Sequence, residues 1–128
     1  MNVLVFDSNV VYAKQVACTM GEHLKDAAVY LAHNTAVLQH RLSQRHYDLV
    51  VADISSTMDC EVAAGMLKEA SKDTPIVVWS DVSTLSTIDL CKKCHATQVL
   101  KKEFSQAGMQ EAVTKAFGSG HRLPVVVG

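Results

Sequence analysis

Residues 49–52, Leu49-Val50-Val51-Ala52, form an apolar run without polar alternation, and the run ends on a single carboxylate, Asp53. A strand with one wet face alternates apolar and polar side chains. A run that does not alternate is covered on both faces, as an inner strand of a parallel sheet flanked by helices is. Asp53 then stands at the carboxyl end of that strand. In an open α/β sheet this edge borders the crevice where ligands collect, so the other strand ends are to be read for what they bring to Asp53.

Apolar runs of strand length alternate with stretches of helical period along the rest of the chain, which predicts βαβ units, a parallel sheet and right-handed crossovers. The first strand covers residues 2–7 and ends in Asp7-Ser8-Asn9. Ser8 or Asn9 is a suitable N-cap for a helix running to about His23, with Val10, Ala13, Val16, Ala17 and Met20 at helical spacing. A second strand is expected over 27–32. Asn34 or Thr35 then caps a helix through about Gln44, whose apolar face carries Ala36, Val37, His40 and Leu42. After the third strand a helix over 60–71 is expected to bury Val62, Ala63, Met66, Leu67 and Ala70. Pro75 opens a fourth strand over 76–79, followed by Ser80-Asp81. A helix from about Ser83 to Cys94, a fifth strand over 98–101 and a last helix over 106–117 complete the pattern. The expected class is α/β, a doubly wound five-stranded parallel sheet between two helical layers. Gly118, Gly120 and Pro124 mark residues 118–128 as a linker or tail to a domain spanning 1–117, and the chain is expected to continue into a further domain beyond Gly128.

A length of 128 residues suits one domain that buries roughly two-thirds of its unfolded surface. Twelve basic side chains against thirteen acidic ones leave no overall field to draw nucleic acid or an anionic membrane. The amino terminus enters a strand directly, without a signal-peptide pattern, and the apolar runs are too short to cross a bilayer. The cytoplasm is therefore the expected compartment, and Cys18, Cys60, Cys91 and Cys94 are expected to be thiols. Cys91 to His95 spells C-x-x-C-H, but haem attachment requires export, and as a zinc half-site the motif lacks a second pair. The six histidines form no metal-binding pattern. Lys92, Lys93, Lys101 and Lys102 read as a local basic patch on a solvated face. The first glycine is Gly21, so neither a dinucleotide turn nor a P-loop can follow the first strand, and no G-x-S-x-G is present. No enzyme is expected.

The strand ends carry Asp7-Ser8, Asp53, Ser80-Asp81 and Lys101-Lys102. Carboxylates brought close together repel unless a hard cation joins them, and Mg²⁺ accepts one or two carboxylates together with water and phosphate oxygens. Such a site orients an ionised carboxylate as a nucleophile toward phosphorus, while an ammonium and a hydroxyl hold the remaining phosphoryl oxygens.

In this order (strand–Asp7, then DLVVAD, PIVVWS and VLKKEFS) the chain resembles, over residues 3–117, the receiver domain of two-component response regulators. The resemblance implies flavodoxin-like topology, with Asp53 as phosphoacceptor, Asp7 as a metal-site acid and Ser80 as the switch hydroxyl. Lys102 matches the phosphate-contacting lysine, and Ser55 the residue whose backbone carbonyl completes the Mg²⁺ shell. It also implies a sensor histidine kinase or phosphotransfer protein as donor and a downstream output domain or partner protein, with no direct contact to nucleic acid or membrane. Family members pair through a surface that would here carry Leu85, Leu90, Lys92, Lys93, Gln106 and Gln110, and a monomer or weak homodimer is expected.

The departures are Ser8 in place of a second acid, Asp81 after the switch hydroxyl, Glu103 in place of a proline that is often preceded by a cis peptide, and Val99 in place of a switching aromatic. Two readings stay open on these residues: a phosphoryl-accepting receiver, or a pseudo-receiver that docks partners without phosphate. A third is a redox-responsive module using Cys91 and Cys94.

Overall fold

The computed structural model describes residues 1–24, 26–54, 59–80, 89, 92–103 and 105–117. Its elements are β1 (Asn2–Phe6), α1 (Val10–His23), β2 (Ala28–Ala32), α2 (Thr35–Gln44), β3 (Leu49–Ala52), α3 (Cys60–Ala70), β4 (Ile76–Ser80), β5 (Gln98–Lys101) and α4 (Gln106–Phe117). The helix expected over 83–94 falls mostly outside the described residues, and the tail 118–128 lies wholly outside them.

All strand pairs are parallel, in the order β2-β1-β3-β4-β5. This is the flavodoxin-like arrangement, in which the order reverses between β1 and β3. The non-alternating run accordingly sits in the middle of the sheet, and Leu49, Val50, Val51 and Ala52 are all buried.

Alternate side chains of one strand point to opposite faces, and the core divides along that line. Val3, Val5, Leu49, Val51, Val77 and Trp79 pack with Tyr12, Val16 and Met20 of α1 and Met109 of α4. On the other face Leu4, Phe6, Val50, Ala52, Ile76 and Val78 pack with Leu38 of α2 and Ala63, Ala64 and Leu67 of α3.

The helices start where their caps predict. Asn9 Oδ1 accepts from the Tyr12 amide at 3.1 Å, and Asn34 Oδ1 accepts from the Val37 amide at 2.8 Å. Asn34→Ala is expected to cost about 1 kcal/mol in urea unfolding; an unchanged midpoint would show that the bond adds nothing beyond hydration.

The buried faces differ from the periodicity in detail. On α1 the buried set is Tyr12, Ala13, Val16, Thr19 and Met20, while Val10 is exposed. On α2 only Leu38 is buried, and Ala36 and His40 face solvent. On α3 Ala63, Ala64 and Leu67 are buried, Met66 and Ala70 only partly, and Val62 is 52 % exposed. In each case the rotation of the helix on the sheet decides which residues are buried, and apolar spacing in a mixed helix does not specify it. No helix among the described residues is long and apolar enough to cross a membrane.

Candidate functional site

The ladder continues past β1 and β3 by one hydrogen bond each. The Asp7 amide donates to the Ala32 carbonyl at 3.0 Å, and the Asp53 amide donates to the Phe6 carbonyl at 2.9 Å. Since Phe6 pairs with Ala52 and Ala52 with Val78, Asp7 and Asp53 emerge side by side at the same edge of the sheet. Ser80 closes β4 opposite Lys101 of β5, and its carbonyl accepts from the Lys102 amide at 2.8 Å. Sheet order thus delivers the strand ends singled out in the sequence to one place.

Lys102 joins them. Its Nζ lies 2.9 Å from Asp7 Oδ2 and 2.5 Å from Asp53 Oδ2. All three groups are buried, Asp53 to 1 % exposure and Lys102 to 6 %, so Lys102 is the central cation of this site and no member of the solvated basic patch. Lys93 is exposed as expected and is ion-paired with Glu61 and Asp89. Asp7 Oδ1 accepts from the Asn9 amide at 2.9 Å, which holds the carboxylate with its other oxygen toward Lys102.

Burial raises the pKa of Asp7, and the hydrogen bond from Lys102 offsets this only in part. For Lys102 burial opposes the charge, but the hydrogen bonds to Asp53 and Asp7 outweigh it and the amine stays protonated above its ordinary range. Two carboxylates facing one ammonium retain one negative charge when both are ionised.

A residue that the sequence analysis passed over completes the pocket. Tyr12 lies with its ring 4.4 Å from Lys102 Nζ and makes a T-shaped contact with Trp79, the centroids 6.5 Å apart. Its hydroxyl donates to the Glu103 carbonyl at 2.8 Å and accepts from the Glu103 amide at 3.1 Å. The spacing 12, 13, 16, 19, 20 would have marked Tyr12 as facing the sheet. As expected with Glu103 in place of proline, no peptide bond among the described residues is cis.

Ser8 is exposed, and Ser80 is buried at the end of β4. Ser55 and Asp81 lie outside the described residues, as do Leu85, Leu90 and Cys91. Cys18, Cys60 and Cys94 are thiols, and Cys94 is part of the core. A broad groove of about 640 Å³ lies between α2 and α3, lined by Leu42, Arg45, Tyr47, Met66 and Glu69 among others, and includes none of the strand-end residues.

No family model matches the sequence, and no curated protein matches it. Solved structures do match the fold. The chemotaxis response regulator CheY4 of Vibrio cholerae is similar at a TM-score of 0.69 and 18 % identity, over 88 % of this chain and 95 % of that one. A response regulator from Thermotoga maritima gives a TM-score of 0.68 at 21 % identity, over 89 % and 94 % of the two chains. The RcsB response regulator of Salmonella typhimurium gives 0.72 at 15 % identity, over 91 % of this chain and 59 % of that one. The structural neighbours are CheY-like receiver domains, and the chain has the receiver fold.

Proposed function

We propose that this chain is a cytoplasmic receiver of two-component signalling that accepts a phosphoryl group on Asp53. A sensor histidine kinase or phosphotransfer protein would be the donor, and an output domain or partner protein would read the change. The observation that carries the reading is the meeting of Asp7, Asp53 and Lys102 at the carboxyl edge of a receiver-fold sheet. An Asp53 carboxylate oxygen forms the bond to phosphorus as the phosphohistidine P–N bond breaks. The electron pair leaves with the imidazole nitrogen, which takes up a proton. Lys102 would turn from the carboxylates to the new phosphoryl oxygens, and the Ser80 hydroxyl would donate to them. The match over 59 % of RcsB supports an output region elsewhere in a longer chain. A monomer or weak homodimer fits this role.

One ammonium already touches both carboxylates, so a single cation can span Asp7 and Asp53, the two anionic ligands that Mg²⁺ commonly uses. With the Ser55 carbonyl, these residues would hold it, and when bound it neutralises charge on the carboxylate and phosphoryl oxygens. Weak, millimolar affinity is expected, because Ser8 stands where a further carboxylate would hold the cation.

Acetyl phosphate with Mg²⁺ is expected to add one phosphoryl group slowly, seen in the intact mass, and none to Asp53→Asn. A wild-type protein without adduct at high Mg²⁺ would sink this reading. The pseudo-receiver would then stand. The 56 % exposure of Val99, where a switching aromatic would sit, is the observation that favours it.

A further inference from the structure

We propose that Tyr12 is a positioning residue that holds the Lys102 ammonium across Asp7 and Asp53 and thereby sets how readily Mg²⁺ can replace it. The metal half of this statement rests on the function proposed above; the positioning half does not.

A lysine side chain has four rotatable carbons and many rotamers, so a buried ammonium bridging two carboxylates needs something to restrict it. Tyr12 does so at two levels. Its ring face lies 4.4 Å from Nζ, and a tyrosine face favours a neighbouring cation by a factor of about two to thirty. Its hydroxyl pairs with both the amide and the carbonyl of Glu103, fixing the backbone immediately after Lys102. Only a residue with an N–H can complete that pair, so Glu103 in place of proline and Tyr12 form one device. Trp79 backs the ring from the core.

A bare core role for Tyr12 predicts that its removal loosens the pocket and weakens every ligand. The positioning role predicts the opposite sign for Mg²⁺. Lys102 and the metal compete for the same carboxylate oxygens, so freeing the ammonium should make Mg²⁺ bind more tightly.

The test uses the full chain as wild type, Tyr12→Leu, Tyr12→Phe, Lys102→Met and the double variant Tyr12→Leu/Lys102→Met. Without metal, acetic anhydride labelling of Lys102 is measured against exposed Lys101 by peptide mass. Labelling of Lys102 is expected to accelerate in Tyr12→Leu while Lys101 is unchanged. Trp79 fluorescence then follows Mg²⁺ binding. Tyr12→Leu is expected to tighten it by about two- to thirtyfold, and to add nothing further once Lys102 is Met. Tyr12→Phe keeps the ring and drops the Glu103 pairing; both changes should appear in smaller measure, and it serves if Tyr12→Leu does not fold. Unchanged Lys102 labelling in the folded variants, or weaker Mg²⁺ binding in Tyr12→Leu while Lys102→Met binds more tightly, overturns the proposal. If no variant binds Mg²⁺, Lys102→Met included, the metal part of the proposed function fails, and Lys102 labelling alone decides the role of Tyr12.

Discussion

Lys102→Met is expected to destabilise the fold by about 3 to 5 kcal/mol at neutral pH, because removing one partner of a buried ion pair leaves the others uncompensated. Here the loss strands two carboxylates, Asp7 and Asp53, both buried within reach of the same ammonium. The pH dependence identifies the cause. Asp7 already holds its proton more tightly than an unfolded aspartate, and without the Lys102 hydrogen bond it should do so more strongly. A carboxyl raised in this way favours the folded state at low pH and loses that contribution as pH rises through its folded pKa. The variant should therefore regain stability on acidification. In the wild type the folded pKa of Lys102 lies above 10.5, so its contribution is complete below that pH and is lost as pH rises through the folded value. The two proteins should converge at the alkaline end. Urea unfolding across pH measures both trends, and a variant as stable as wild type at neutral pH would show that the carboxylates do not depend on the ammonium.

Leu38→Ala is expected to cost about 2 to 5 kcal/mol, the range for emptying a fully buried leucine site. Leu38 is the one buried residue of α2 and packs into the cluster formed by Leu4, Phe6, Val50 and Ala52. Val37 and Leu42 of the same helix are only partly buried against that cluster. His40→Ala, two residues away on the solvent side, should stay within about 0.5 kcal/mol of wild type. Chemical denaturation of the pair checks the rotation of the helix directly. Equal effects at both positions would mean that α2 presents the face expected from its apolar spacing and not the face seen in the structure.

The limits of the sequence show in the same helices. Leu38, Tyr12 and Thr19 escaped the periodic reading because α1 and α2 are mixed in composition, and several rotations satisfy an apolar stripe about equally well. Val10 and Val62 were assigned inward on the strength of their side chains alone, and the exposure of each reflects where the sheet lies, which no local window contains.

What the chain determined by itself is the strand framework and its chemistry. An apolar run without alternation has to be an inner strand, since only two covered faces spare it water. Asn9 and Asn34 have side chains that start helices, and acids and a lysine stand at the carboxyl ends of strands, the edge that borders the crevice. The tertiary structure alone decided which of these groups touch. Lys102 meets Asp53 across 49 residues, and Tyr12 reaches Glu103 across 91. Such contacts follow from parallel sheet order and from the angle at which α1 lies on it, and both are set by the packing of the whole core and by no segment within it.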